Sequence, residues 1–412
     1  MNYRPLLLLV FGMLLMLVGA AVQAQDSNVP AFASVEEGTL ILSDALGTTR
    51  EVFSAYNFQY LSWNADGTKL AFILRDSDYI ASLGVVDATS GEVTVFSTER
   101  LEYGFNLNWT LDGRILFATY SRANDQAAGS DYLVDIQAVA PETGSAPDVL
   151  GTFAFGTGCG GGSPIPTDHV YSAETSGFRG FFLTLADTPY GIVHSVNCGG
   201  IGIGLLNPVT GESTPIVENF AKVIVSPDGK HAAGLELNFE VHSVARILIY
   251  NLDTLEAVEV AAGEETDQLA WSQDGESLYY TIRMPDTNLL DGLTDQQRQS
   301  INEMFGTTME ALHGYTSSIH RADLVDQTHE MLYEGYAYAI GRIAETDDAL
   351  YFSQVPNLDI WLDKLLNGEV QYDDAASAAP FVEPAVLRLA PQESTEAVFL
   401  GWFDQFTPVV GS

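Results

Sequence analysis

One short phrase recurs along the chain and limits what the chain can fold into. The clearest copy is Leu269-Ala270-Trp271-Ser272-Gln273-Asp274-Gly275-Glu276-Ser277-Leu278-Tyr279-Tyr280. It reads as a strand, an Asp-Gly turn and a second strand. An aspartate side chain can bond the turn backbone, and glycine takes φ > 0 without a Cβ clash. The flanks alternate apolar and polar residues, as half-buried strands do. Further copies centre on Trp63-Asn64-Ala65-Asp66-Gly67, on Trp109-Thr110-Leu111-Asp112-Gly113 and on Val225-Ser226-Pro227-Asp228-Gly229.

A second phrase alternates with the first. Val85-Val86-Asp87-Ala88-Thr89-Ser90-Gly91-Glu92 is one copy. Others are Leu205-Leu206-Asn207-Pro208-Val209-Thr210-Gly211-Glu212, Ile249-Tyr250-Asn251-Leu252-Asp253-Thr254-Leu255-Glu256 and Ile319-His320-Arg321-Ala322-Asp323-Leu324. Each reads as a second hairpin, so the repeating unit has four strands. Asp66 and Asp112 are 46 residues apart, as are Asp228 and Asp274. Four strands in 40 to 50 residues is the signature of a propeller, in which blades pack in a ring to cover faces that none can cover alone.

Ser226-Pro227-Asp228-Gly229-Lys230 and Trp271-Ser272-Gln273-Asp274-Gly275 resemble the repeat of TolB-type, WD-repeat-like β-propellers. The resemblance covers roughly residues 39 to 410 and implies an all-β fold of four-stranded antiparallel blades. Six units follow, at about 57–97, 103–150, 153–217, 220–262, 266–333 and 336–400. The hairpin 39–54 and the tail from Gly401 remain. A ring must hide its sheet edges, so these remnants are expected to pair and close a seventh blade, with outer strands from the N-terminus and an inner strand from the tail. Six blades with an appended hairpin is the alternative. The class spans partner-binding scaffolds, sugar-active proteins and peptidase accessory domains, so the fold alone does not define a function.

Two insertions interrupt the repeat, 284–316 and 356–383. The first holds a helix near Thr294–Phe305, with Thr294 as N-cap and Gln297 in the capping-box position. The second holds a short amphipathic helix, Ile360–Leu366, ending near Gly368. Both join the second strand of a blade to the third, so both are expected on one face of the ring, and such loops commonly form a binding site.

The N-terminus reads as a processing signal. Arg4 precedes an apolar run from Leu6 to Val18, and Val22-Gln23-Ala24 is a small-residue cleavage pattern. The expected organisation is a signal peptide at 1–24, a short leader at 25–38 and the propeller at 39–412. An uncleaved anchor is the alternative. The expected protein is exported, periplasmic or extracellular, and monomeric, with no membrane span after cleavage. Its net charge of −38 would repel nucleic acid. The chain has two cysteines, Cys159 and Cys198, an even count that suits one disulfide in an exported protein; a free buried pair is the other possibility.

Catalytic signatures are scarce. The chain has neither a Gly-x-Ser-x-Gly elbow nor a His-Glu-x-x-His pair. The glycine-rich stretches 158–164 and 198–204 lack the Gly-Lys-Ser/Thr of a phosphate loop and suit close backbone packing. Acidic pairs occur at Asp76 and Asp78, Asp286 and Asp291, and Asp373 and Asp374, without the EF-hand pattern. Asp66, Gly67, Asp112, Gly113, Asp228, Gly229, Asp274 and Gly275 occupy equivalent repeat positions, and one active site does not need four copies. They read as structural, like Trp63, Trp109 and Trp271, whose repeat position suits packing between blades. No catalytic group, cofactor or metal is expected. The function that follows is a binding scaffold for a protein, peptide or glycan, with its ligand on the insertion face. A propeller-class enzyme with carboxylates at the channel mouth is the alternative, and a structural role in a surface assembly is a third possibility.

Overall fold

The computed structural model describes residues 30–408, apart from 45–47, 56–57, 76–79, 103–104, 123–131, 156–184, 198–200, 219, 239–242, 263–265, 267, 306–310, 347–348, 369–384, 391–395 and 403–404. The described chain opens with β1 (Phe32–Glu36), β2 (Thr39–Ser43) and β3 (Thr49–Ser54). The first full blade is β4 (Phe58–Trp63), β5 (Lys69–Arg75), β6 (Ile80–Asp87) and β7 (Val93–Glu102). The second is β8 (Phe105–Trp109), β9 (Ile115–Arg122), β10 (Tyr132–Val139) and β11 (Asp148–Phe155). The third is β12 (Leu185–Thr188), β13 (Gly191–Asn197), β14 (Ile201–Leu206) and β15 (Ser213–Glu218). The fourth is β16 (Phe220–Val225), β17 (His231–Asn238), β18 (Ser243–Asn251) and β19 (Ala257–Ala262).

Blade five is β20 (Leu269–Trp271), β21 (Ser277–Asn288), β22 (His313–Asp323) and β23 (Thr328–Tyr336), with helix α1 (Asp295–Phe305) between β21 and β22. Blade six is β24 (Ala339–Glu345), β25 (Leu350–Val355), β26 (Ala385–Leu389) and β27 (Val398–Trp402), with helix α2 (Leu358–Leu366) after β25. The tail adds β28 (Gln405–Pro408). Seven four-stranded antiparallel sheets result, and the first strand of each blade is its innermost. Inner strands of neighbouring blades touch around the ring, from β4 to β8 to β12, from β16 through β20 and β24 to β28, and from β28 back to β4; β16 meets the third blade at β14.

The seventh blade decides the blade number and corrects one expectation. Its order is β28-β1-β2-β3. The tail supplies the innermost strand, pairing Val35 with Gln405 and Phe32 with Pro408. Residues 32–38, expected in the leader, instead form β1 and its turn to β2. The hairpin 39–54 therefore does not meet the tail directly, because β1 lies between them. Burial of β1 on both faces explains this: Ala33 and Val35 pack toward the first blade, with Leu40, Leu42 and Leu70, while Phe32 packs toward the sixth, with Tyr351 and Val386. A strand covered on both faces belongs inside the ring.

The core is a set of seams between blades, and the repeated tryptophans sit in them. Trp109 Nε1 donates to Ser62 O of the preceding blade at 2.9 Å. Trp271 Nε1 donates to Ile224 O of its preceding blade at 3.3 Å. Trp63 packs against the cluster shared with the closing blade. A large apolar ring with one polar tip suits such a seam, since the N–H finds a carbonyl that would otherwise be buried unpaired.

Deleting 402–412 removes β28 and bares the inner edge of β1. The truncated protein should melt at lower temperature and associate on heating, read by calorimetry and light scattering. Unchanged melting and elution volume would show that β28 does not hold the ring shut.

Candidate binding face

An antiparallel meander sends its connections to alternate ends. Turns between strands one and two, and three and four, share one face of the ring. Connections between strands two and three, and from each blade to the next, share the other. The two faces differ in chemistry.

The turn face is short and internally satisfied. Asp66 Oδ1 accepts from Thr68 N at 2.9 Å, Asp228 Oδ1 from Lys230 N at 3.0 Å, and Asp274 Oδ1 from Glu276 N at 2.9 Å. Ser226 Oγ donates to Asp228 at 2.7 Å and Ser272 Oγ to Asp274 at 2.6 Å. Asp112 accepts from Thr110 Oγ1 and, at 3.0 Å, from Arg114 Nε. Gly67, Gly113, Gly229 and Gly275 have φ of 67°, 82°, 68° and 72°, the left-handed region where a Cβ is penalised. Hydrogen bonds from Thr68, from Thr110 and from Ser272 hold Asp66, Asp112 and Asp274 below the usual carboxylate range. At Asp228 burial works against the charge, but the bonds from Ser226 and Lys230 outweigh it and hold the carboxyl at about 2.

The outer turns reveal what leads the second phrase. Asp87, Asn207, Asn251 and Asp323 each use Oδ1 to accept the N–H groups two and three residues on, at 2.8–3.2 Å. The leading Asp or Asn carries the turn. The residue that follows these bonded groups is left-handed even where it is Leu255 (φ 60°) or Gln327 (φ 55°).

On the opposite face the two insertions meet. Thr294 caps α1: Gln297 Nα donates to Thr294 Oγ1 at 3.4 Å and Thr294 N donates to Gln297 Oε1 at 3.0 Å, the reciprocal box read from the sequence. Leu290 and Ile301 of the first insertion and Leu362 of the second form one buried cluster, flanked by Leu289, Leu293, Leu312 and Leu366. Asn357, 2% exposed, links the blades beneath. Its Oδ1 accepts from Tyr315 N and its Nδ2 donates to Tyr315 O, both at 2.8 Å. One side chain thus bonds β22 of blade five as a strand would. Arg283 lies over the rings of Tyr315 and Tyr338, at 4.9 and 5.2 Å from their centroids, a cation–π pairing at the insertion end of the blade five–six seam. Sequence reasoning missed Asn357, Arg283, Tyr315 and Tyr338, because each acts across elements far apart in the chain.

Other candidate residues scatter. Cys159, Cys198, His169, His242, Asp76, Asp78, Asp373 and Asp374 lie outside the described residues. Ile201–Gly204 of the second glycine-rich stretch lie in β14. Asp286 and Asp291 are exposed at the first insertion. His194, fully buried, lies 2.6 Å from Ser213 Oγ as a core histidine. Glu345, at the turn end of β24, accepts from Gln273 N at 2.9 Å and from Tyr279 Oη at 2.5 Å, a link between blades five and six; burial and this carboxylate push the Tyr279 phenol up. Asp187 of blade three likewise accepts from Leu111 N of blade two at 2.9 Å. Among the described residues no group of three or more His, Cys, Asp or Glu is placed to hold a metal ion. Those described carboxylates that shift from their ordinary value shift down, the direction opposite to that of a general acid.

The fold and both faces define a seven-bladed β-propeller, and solved structures share it. An acylaminoacyl peptidase from Pyrococcus horikoshii is 13% identical, over 89% of this chain and 48% of its own, with a TM-score of 0.52. TolB from Acinetobacter baumannii is 13% identical, over 74% of this chain and 63% of its own, with a TM-score of 0.42. A prolyl endopeptidase structure is 10% identical, over 93% of this chain and 51% of its own, with a TM-score of 0.49. At 13% identity the likeness to the Pyrococcus peptidase is one of fold alone, and the chain spans only about half of either peptidase. No protein-family model and no curated protein matches the chain.

Asp228→Asn tests the turn chemistry. A carboxyl held at about 2 stabilises the fold fully above the unfolded value near 4 and loses that contribution as pH falls toward 2. The variant should have a lower urea midpoint than the wild type at neutral pH, and the gap should close as pH drops through that window. Asn357→Ala leaves the Tyr315 N–H without its partner and should cost about 1–3 kcal/mol in urea unfolding. Amide exchange should rise first at Tyr315; unchanged exchange there would contradict the clamp.

Proposed function

We propose that the protein is exported and acts as a non-catalytic binding scaffold, taking a protein, peptide or glycan ligand on the face that carries the two insertions. The observation that carries this reading is the shared cluster of Leu290, Ile301 and Leu362. Two insertions from different blades, separate in sequence, use their apolar residues to brace each other. The result is a fixed ledge with Arg283 and two tyrosines beneath it. Rigid scaffolds that present loops on one face commonly bind there. Export rests on the processing signal at 1–24, which lies outside the described residues. No described helix is long and apolar enough to cross a membrane.

Purified residues 25–412 applied to glycan and peptide arrays test the reading. Binding without turnover is expected, and replacing 289–312 with a short Gly-Ser turn should abolish it while the melting temperature of the ring is kept. Cleavage of a polysaccharide or peptide library, or binding that survives loss of the insertion, would overturn it.

A further inference from the structure

The seam between the fourth and fifth blades holds a group of polar side chains that neither the turns nor the insertions use. Tyr280 of β21, Ser318 and His320 of β22, and His329 of β23 share the sheet face that turns toward blade four. Tyr280 belongs to the same buried cluster as Ala233, Leu235, Ile247 and Ile249 of that blade. Tyr280 and His320 are register partners, and their rings stack with centroids 5.3 Å apart and planes 21° from parallel. His320 Nε2 lies 2.9 Å from Ser318 Oγ. Ser318 Oγ donates to Ile282 O at 3.3 Å, so it accepts from His320, and Nε2 carries the ring proton. Tyr280 Oη lies 3.2 Å from His329 Nδ1, which a neutral imidazole offers as an acceptor. Two imidazoles therefore share one buried tyrosine, one bonded within β22 and one reaching from the outermost strand.

We propose that this group is an acid-sensitive latch: with both imidazoles neutral it fastens the outer strands of blade five to β21, and proton uptake loosens β23 and the seam with blade four. The two positive charges, on either side of the Tyr280 ring, would then repel each other. A protonated His329 also cannot accept the phenol proton, so the Tyr280–His329 bond must reverse or break. Glu334, on β23 opposite Ser318, acts on His320 in the opposite sense, and Glu330 follows His329 in the chain, paired with Arg321 at 3.8 Å. From blade four, Leu235, Ile247 and Val260 pack in the same cluster as Tyr280. His231 faces the same seam at its turn end, against Trp271.

Linkage gives the direction. Burial pushes His320 below the usual histidine value and the charge of His329 pushes the same way, while Glu334 opposes both. The unfolded chain thus binds the proton at higher pH than the folded chain does. Stability is complete above the ordinary histidine value and declines as pH falls through it, levelling off below the folded value.

The test compares the full mature chain with the double variant His320→Gln/His329→Gln at about pH 7.5 and about pH 5, either side of the ordinary histidine value. Urea midpoints and intrinsic-rate-corrected amide exchange over Thr328–Tyr336 are read together. The wild type should lose midpoint on acidification more than the double variant does. Its β23 amides should exchange faster at the lower pH, and by a larger factor than those of the double variant. Reading both removes the general effect of acid on the carboxylates, which the two proteins share. Equal losses, or β23 exchange that does not change with pH in the wild type, would overturn the latch. Should the double variant fail to fold, His329→Gln alone, at an exposed position, should still reduce the acid-driven exchange; an undiminished response would count equally against the proposal.

Discussion

Everything in this molecule depends on the need of each sheet to be covered on both faces. A four-stranded blade with apolar residues pointing both ways has no stable existence alone. A closed ring gives each blade two neighbours, but only if the last sheet is completed. Pairing of β28 with β1 meets that requirement, with the two ends of the described chain in register from Val35–Gln405 to Phe32–Pro408. A few residues of tail thereby govern how the other blades are buried. The seams then repeat one device, in which an inner-strand side chain reaches a backbone group of the neighbouring blade: Trp109 to Ser62 O, Trp271 to Ile224 O, and the carboxylates of Asp187 and Glu345 to turn N–H groups.

The same geometry divides the ring into two chemically unlike faces. On one, aspartates and asparagines are consumed by their own turns. The lowered proton affinity of Asp66, Asp87, Asp112, Asp228 and Asp274 records that hydrogen bonding. On the other, two of the connections carry helices that rest on each other. Burying Leu290, Ile301 and Leu362 together answers the problem that a short amphipathic helix faces in water, where it is marginal without tertiary contacts.

The seam of blades four and five differs from its counterparts. Elsewhere the contacts described between blades are apolar, pair a donor with a fixed acceptor or, at Arg283, set a cation against tyrosine rings. Here a buried tyrosine lies between two imidazoles, one stacked on its ring and one at its hydroxyl. Such polar clusters hold firmly when satisfied and weaken sharply when one member changes charge.

Much of this was legible in the sequence. Four Asp-Gly turns, two pairs of them 46 residues apart, impose hairpins, because aspartate and a left-handed glycine stabilise a tight turn locally. Period-two alternation gave the strands, and the Thr294–Gln297 box gave the start of α1, since each needs only neighbours in the chain. The leader was misjudged for the complementary reason. Phe32–Glu36 pairs locally with β2 across the Glu37-Gly38 turn, but its place between β2 and the inner strand of the ring comes from β28, some 370 residues away. The clamp of Asn357 on Tyr315, the stacking of Arg283, and the meeting of Ser318, His320, Tyr280 and His329 were likewise decided by the tertiary structure. Those side chains carry no pattern of their own, and their chemistry exists only once the ring has closed and set strands of different hairpins, and of different blades, against one another.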